Sequence, residues 1–318
     1  IRRPPRSTPK PSSAASDVYK RQHTISNEKD IKPNSKMVSL YKLTKPGITL
    51  YVMLTAGVSH YVASQGNVTY PNLFQLLLGI ALGSAGALSL NQYLERDLDA
   101  LMIRTKSRPL PSGKLKPREA FWFGTTLLFA GMTYLILTVG ELPAILMALS
   151  AGIYLFGYTP LKSRSYLATL VGAVPGALPV LIGWSSVNGN IEFGAILIFC
   201  IAFLWQLPHV LALSWLFRED YSRVGFLLMP PTDPQGKQIG RHMVYHSAAL
   251  LFISVFPTFI GLTGSLYLLG ATALGLVTLF LSIIAAKNMT EVSARKIFMW
   301  SLMYQPLILG LLVIDIVR

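Results

Sequence analysis

The most informative stretch of this chain is Phe74-Gln-Leu-Leu-Leu-Gly-Ile-Ala-Leu-Gly-Ser-Ala-Gly-Ala-Leu-Ser-Leu-Asn91-Gln-Tyr-Leu-Glu95-Arg-Asp-Leu-Asp99. Its first part belongs to an apolar run that is long enough to cross a bilayer as a helix, which takes about 20 residues. Its second part becomes acidic at once. The stretch therefore predicts a membrane helix that carries carboxylates at one end.

The rest of the chain is similarly apolar. Of its 318 residues, 52% are hydrophobic and only 13% are charged, and the mean hydropathy is +0.48. This composition excludes a soluble domain of the same length. The predicted fold class is all-α: a polytopic membrane protein, a bundle of about nine transmembrane helices around a central cavity. The predicted spans are 47–65, 71–93, 119–139, 142–158, 167–186, 191–213, 242–263, 265–286 and 297–316.

The net charge of +14 reflects membrane topology rather than binding of nucleic acid. All of the 28 Lys and Arg residues except Arg318 lie before the first predicted span or in the connections after the even-numbered spans. Loops rich in Lys and Arg remain on the cytoplasmic side of a membrane. The N-terminus and the loops that carry the motifs are therefore expected in the cytoplasm, and the C-terminus on the other side.

The N-terminal residues differ in composition from everything that follows. Residues 1–36 are rich in Pro, Ser, Lys and Arg and have no apolar period, so we expect a disordered tail. Residues 1–22 resemble adapter sequence joined to a natural reading frame, and the natural start is expected at Met37 or shortly before it. Residues 37–318 are then a single transmembrane domain.

The acidic end of the quoted stretch is a candidate metal site. Asn91, Glu95 and Asp99 recur at every fourth residue, so on a continuing helix their side chains share one face, about 6 Å apart. Oxygen ligands of this kind suit Mg²⁺, whose coordination is commonly completed by substrate phosphates. A cationic run that can neutralise phosphate charge follows at once: Arg104, Lys106, Arg108, Lys114, Lys116 and Arg118. The alternative is a solvated helix cap.

Two later segments carry further candidates. Pro160 ends a helix after Tyr158, so that Lys162 can reach the same inner mouth, although a lysine here also suits a simple membrane anchor. After the sixth span, Glu219 and Asp220 are candidates for a second metal, and Arg218 and Arg223 for phosphate binding; a plain loop is the alternative.

His209 lies inside an apolar span, where a polar group is costly. It is a candidate to contact a polar substrate, to act as a base or to coordinate iron. The alternative is a hydrogen bond to a neighbouring helix.

These motifs bring the chain close to a known family. Asn91-x3-Glu95-x3-Asp99, followed by Arg104-Thr-Lys-Ser-Arg108-Pro-Leu-Pro-Ser-Gly, resembles the first motif of the intramembrane aromatic prenyltransferases, and especially of the protoheme IX farnesyltransferases, or haem O synthases. Tyr158-x3-Lys162 and the segment Trp205–Gly225 resemble the next two elements, in the same order. The resemblance extends from about Leu43 to the C-terminus.

The resemblance implies a function and a set of roles. Farnesyl diphosphate and protohaem IX are the implied substrates, the bilayer the surroundings, and the bacterial inner membrane the location. A haem A synthase or a terminal oxidase are implied partners. The implied residues are Asn91, Glu95, Asp99, Asp220 and Glu219 for Mg²⁺, Arg104, Arg108, Lys162 and Arg218 for diphosphate, and Tyr158, Lys162 and His209 for catalysis.

Two departures from the broad family are informative. Glu95 replaces an Asp, and Phe217 and Tyr221 occupy the places of the second Asp-x3-Asp, which favours the haem branch. The first alternative is prenyl transfer to an aromatic quinone precursor. The second is a transporter or lipid-binding protein, but its polar residues are expected near the bilayer midplane, whereas the charges of this chain gather at one membrane face.

Overall fold

The computed structural model describes residues 34–228 and 233–317. Most of the predicted disordered tail and all of residues 1–22 lie outside this part. All the site residues belong to the unit Ser39–Arg318. In the described ranges the regular structure is helical, apart from one bridge between Thr263 and Ile316. This confirms the predicted all-α class.

We number the helices in chain order; most connections are short, but those between 99 and 117 and between 223 and 237 are long. They are α1 (Asn34–Leu43), α2 (Pro46–Ala63), α3 (Tyr70–Leu94), α4 (Arg96–Asp99), α5 (Pro117–Thr138), α6 (Glu141–Gly152), a π-helix (Ile153–Tyr158), α7 (Thr159–Leu161), α8 (Ala168–Asn188), α9 (Phe193–Leu216), α10 (Arg218–Arg223), α11 (Lys237–Ser254), α12 (Phe256–Phe259), α13 (Ser265–Lys287) and α14 (Glu291–Ile314).

Eight helical segments of the described part are long and apolar enough to span a bilayer, and they coincide with eight of the nine predicted spans. The remaining prediction, 47–65, corresponds to α2, an 18-residue helix that is not among these eight. Its polar side chains pair with α8: Ser59 Oγ donates to the Val180 carbonyl at 2.7 Å, and His60 Nδ1 lies 2.7 Å from Ser186 Oγ. Helix α2 is therefore held in the bundle partly by hydrogen bonds.

Close packing of α3 against α5 depends on glycine. A Cβ atom added to Gly86 would collide with the backbone of Leu128, and one added to Gly131 would collide with the backbone of Gly83. Small residues let membrane helices approach each other closely, where van der Waals contact holds them together. This contact fixes α3, the helix that carries the first acidic motif.

Candidate active site

A cavity of about 390 Å³ lies among α2, α3, α6, α8 and α9. Its walls are mostly apolar, as in Val52, Leu88 and Ile182, whereas the charged residues of the first motif gather in its lining. Among the described residues, those of α11, α13 and α14 contribute nothing to the lining. The cavity is thus enclosed by part of the bundle rather than by all of its helices.

The candidate metal ligands come from two helices rather than one. Helix α3 ends at Leu94, and Glu95 caps it with φ of −93° and ψ of 4° before the single turn of α4 begins. The three residues therefore do not lie on one uninterrupted helix, because the chain bends at Glu95. Asn91, Glu95 and Asp99 are nevertheless all buried and all line the cavity.

Each of these three side chains is held by a cationic one. Glu95 Oε1 accepts from Lys162 Nζ at 2.7 Å, and Asp99 Oδ2 pairs with Arg108 at 2.6 Å. Asn91 Oδ1 accepts from Lys45 Nζ at 3.3 Å. The structure thus brings together the predicted residues of two separate segments and adds Lys45, which the sequence analysis missed.

One carboxylate oxygen of the cluster has no partner. Asp99 Oδ1 is buried and accepts no hydrogen bond, although a buried charged oxygen normally has one. In the described part of the chain, no three His, Cys, Asp or Glu side chains form a metal-binding group by themselves. The oxygen donor set here is two carboxylates and an amide, which suits a hard cation that keeps several waters and phosphate ligands.

Lys45 precedes α2 in an unusual conformation. Its φ of 46° is in the left-handed region, and the following Pro46 occupies the first turn of the helix. The lysine is partly buried and lines the cavity. Burial, and then the nearby charges of Arg108 and Lys162, lower its pKa to about 7.

The pKa of Lys162 is shifted in the opposite direction. Burial alone lowers the pKa of this lysine, but Tyr158 and Glu95 outweigh burial and raise it above its ordinary value. Its Nζ also lies 4.4 Å from the centre of the Tyr158 ring and 5.5 Å from that of Phe226. Lys162 therefore stays charged at the cavity mouth.

Tyr158 lies in the cavity wall at the end of the π-helix. A π-helical turn is rare and is found frequently at functional sites. Tyr158 stacks on Tyr154 with ring centres 5.7 Å apart, and its ring packs where a Cβ on Gly172 would otherwise lie. Two aromatic faces thus line the cavity one turn apart.

Arg104 and Asp220 link two inner loops. The carboxylate of Asp220 accepts from the backbone N–H groups of Ile103 and Arg104, each at 3.1 Å, and pairs with Arg223 at 3.3 Å. Desolvation raises the pKa of Asp220, but these hydrogen bonds and charges outweigh it and lower the pKa. The Arg104 guanidinium lies 4.9 Å from the centre of the Phe217 ring. Arg104 lines the cavity. Asp220 does not line it and instead holds the loop through the backbone N–H groups of Ile103 and Arg104.

The structure does not place the remaining candidates in the cavity lining. Glu219 is exposed, and Arg218 lies over Trp215 and pairs with Glu291 at 3.3 Å. His209 Nδ1 lies 2.8 Å from Ser301 Oγ on α14. The histidine ring is stacked between two aromatic rings, those of Trp205 and Phe298.

An apolar helical cavity whose rim carries paired carboxylates and cations defines a membrane-embedded prenyltransferase. Residues 52–303 match the UbiA prenyltransferase family, and the chain belongs to that family. It is 38% identical over 283 residues to the protein named protoheme IX farnesyltransferase in Solibacter usitatus, covering 86% of this chain and 97% of that one. The protein of the same name in Aquifex aeolicus is 35% identical over 278 residues, covering 87% and 94%.

Solved structures share the fold. A structure described as digeranylgeranylglyceryl phosphate synthase superposes with a TM-score of 0.75 at 16% identity, covering 88% of this chain and 98% of that one. A UbiA homologue from Archaeoglobus fulgidus bound to GPP and Mg²⁺ superposes with a TM-score of 0.55 at 13% identity, covering 87% and 100%. The fold therefore matches that of other members of the family.

Proposed function

We propose that this prenyltransferase moves a farnesyl group from farnesyl diphosphate to the 2-vinyl group of protohaem IX. The observation that carries the proposal is the rim of Asn91, Glu95 and Asp99, paired with cations at the mouth of an apolar cavity. Relatives that align over most of their length and are named for this reaction support the choice of substrates.

Asn91, Glu95 and Asp99 would hold Mg²⁺ in this scheme. The unpartnered Oδ1 of Asp99 supports the assignment, because a cation would supply the interaction that this oxygen lacks. When bound, the metal would neutralise charge on the diphosphate leaving group. Arg104, Arg108 and Lys162 lie in the same lining and would contact the remaining diphosphate oxygens.

The apolar part of the cavity would hold the farnesyl chain and exclude water from the allylic cation. Tyr154 and Tyr158 support this role, since the faces of aromatic rings attract cations. The C1–O bond of farnesyl diphosphate breaks, and C1 bonds to the terminal vinyl carbon. Water then adds to the neighbouring carbon and loses a proton, leaving a hydroxyethylfarnesyl group.

The roles of the more distant candidates remain predictions. Asp220 and Glu219 would serve a second metal only if Asp220 released the two backbone N–H groups that it now binds. Arg218 would need to leave Glu291 to reach a diphosphate. His209 would need to turn from Ser301 and from between its two aromatic neighbours to meet haem iron.

The protein is an integral, multi-pass membrane protein. We further propose that it lies in the bacterial inner membrane with its N-terminus and the acidic rim on the cytoplasmic side. The distribution of Lys and Arg supports this orientation. A haem A synthase or a terminal oxidase assembly would receive the product.

The test is the identity of the product. Membranes that contain the protein, supplied with haem B, farnesyl diphosphate and Mg²⁺, should yield a more hydrophobic haem by chromatography. A quinone precursor, added in competition, addresses the alternative acceptor. An unchanged haem peak beside active control membranes, or prenylation of the quinone precursor alone, would contradict the proposal.

A further inference from the structure

Gln206 is a polar side chain in the apolar wall of the cavity. It lies in the middle of α9 and lines the cavity. Its Nε2 donates to the carbonyl of Ala202 at 2.9 Å and to the carbonyl of Ala173 on α8 at 3.3 Å. A polar group in a membrane span is costly and is usually retained for a function. The reaction scheme so far leaves Gln206 without one.

The two hydrogen bonds fix the orientation of the amide. Both Nε2 protons face carbonyl oxygens, which would repel Oε1 if the amide were reversed. Oε1 therefore lies against Gly176, in the space that a Cβ would fill at that position. The structure thus leaves the acceptor oxygen of Gln206 without a donor, beside a residue that also lines the cavity.

The position of Gln206 within the cavity can be read along α8. Tyr158 packs against Gly172, whereas Gln206 packs against Gly176, four residues or about 6 Å farther from the charged rim. Ser150 also lines the cavity, and its hydroxyl donates to the carbonyl of Pro175, the residue before Gly176, at 3.2 Å. Two polar side chains therefore line the cavity at this level of α8, about one turn below the aromatic pair.

A water molecule inside a protein needs a polar site with at least two partners. The proposed reaction needs one such water, but only after the new carbon–carbon bond has formed. We propose that Gln206 Oε1, with the Ser150 hydroxyl of the same cavity lining as the second partner, holds the water that adds to the cation on the haem side chain. This inference rests on the proposed function and assigns a residue to its last step.

The step balances without another reactant. Once C1 of the farnesyl group has bonded to the terminal vinyl carbon, the neighbouring carbon carries a positive charge. The oxygen of the held water bonds to that carbon, and one of its protons leaves to the diphosphate. If no water is held there, the same cation loses a proton from the adjacent CH₂ group and becomes an alkene, which lacks the hydroxyl group.

The test is the ratio of the two products in Gln206→Met. Methionine keeps the length of the side chain and removes the acceptor oxygen. The matched control is Ser84→Ala, because Ser84 also lines the cavity but bonds to the Ile80 carbonyl of its own helix. Mass spectrometry of the haem products, with water labelled with heavy oxygen, measures the share of hydroxylated product.

We expect Gln206→Met to raise the share of the dehydrated product by about tenfold, the loss of one hydrogen bond, and Ser84→Ala to leave it unchanged. An unchanged ratio in Gln206→Met overturns the inference. So does a folded Gln206→Met protein that makes neither product while the wild type is active, since the residue then acts before the last step. If the wild type itself makes no farnesylated haem, the proposed function fails instead.

Discussion

Lys162 Nζ lies 2.7 Å from Glu95 Oε1, and both side chains are buried where the loop after α7 meets the end of α3. The two residues are 67 positions apart in sequence. Their ion pair joins two of the predicted motifs directly. Because each partner neutralises the other in a poorly solvated site, removing only one leaves a buried charge that is strongly destabilising.

Lys162→Met should therefore lower both stability and activity. We expect a loss of about 3 kcal/mol in the free energy of unfolding, measured as a lower melting temperature in detergent. The double variant Lys162→Met/Glu95→Gln should recover most of the stability but none of the activity. Activity in the double variant would show that neither residue contacts diphosphate or metal.

Asp99→Asn should abolish turnover while leaving the bundle folded. The substitution removes the negative charge of the carboxylate that carries the unpartnered oxygen, and it leaves Arg108 in place. We expect a fall in farnesyl transfer of about 100-fold or more, the scale for losing a key electrostatic contact. Asp97→Asn is the control, since the Asp97 side chain is 81% exposed. Equal activity in the two variants would reject the assigned site.

Metal and diphosphate should bind together rather than separately. Asn91, Glu95 and Asp99 each contact a cationic side chain already, and only Asp99 Oδ1 is unpartnered. A free divalent ion that binds Glu95 Oε1 or Asp99 Oδ2 must therefore displace Lys162 or Arg108 without giving either a new partner. With diphosphate present, those cations gain phosphate oxygens. We expect Mn²⁺ binding, followed by electron paramagnetic resonance, to tighten about tenfold or more with diphosphate. Equal affinity with and without the anion would contradict this.

Lys45 should make the stability of the ligand-free protein depend on pH. Its pKa falls from 10.5 to about 7 on folding, so the unfolded chain binds more protons between these values. The free-energy cost of folding with a protonated Lys45 is fully present below pH 7 and decreases as the pH rises above that value. We therefore expect the melting temperature to rise between pH 7 and 9 as Lys45 loses its proton. Lys45→Met should remove that gain, and the exposed Lys42→Met should not.

Asp220 should act by holding a loop. Asp220→Ala frees the backbone N–H groups of Ile103 and Arg104, so we expect a higher KM for farnesyl diphosphate, faster proteolysis near Arg104 and unchanged Mn²⁺ binding. Glu219→Ala is the exposed control. Weaker Mn²⁺ binding in Asp220→Ala would instead favour the second-metal role. Folding lowers the pKa of Asp220, so its hydrogen bonds to the loop contribute their full stability above the ordinary pKa of an aspartate, about 4. That stability is lost as the pH falls through the lowered pKa.

Sequence patterns predicted eight of the apolar spans and the shared location of the residues of the first motif, because both depend on local spacing. The period of four in Asn91, Glu95 and Asp99 brought the three side chains to one cavity even though the helix ends within the motif. The bend at Glu95 was not predictable, since nothing in the residue types there forbids a continuing helix. The position of the bend depends instead on how α4 packs against its surroundings.

Apart from the approach of Lys162 to the first motif, the contacts between distant segments could not be predicted from the sequence. Lys45 is 46 positions from Asn91, and a lysine before a membrane helix looks like an ordinary anchor. The only local signal was the Lys45-Pro46 step at the start of a helix. Similarly, the pairing of His209 with Ser301 joins residues 92 positions apart. Such pairs depend on how the helices pack, which a single sequence does not reveal.

Helix α3 ends beside the rim of the cavity, so its dipole contributes to the electrostatic potential there. The peptide dipoles of a helix add to about half a negative charge at its C-terminus, and α3 ends at Leu94, directly beside the oxygen cluster. This partial negative charge favours a cation beside the oxygen cluster and disfavours a bare anion there. The backbone thus adds to the preference of the rim for a metal–pyrophosphate complex over pyrophosphate alone.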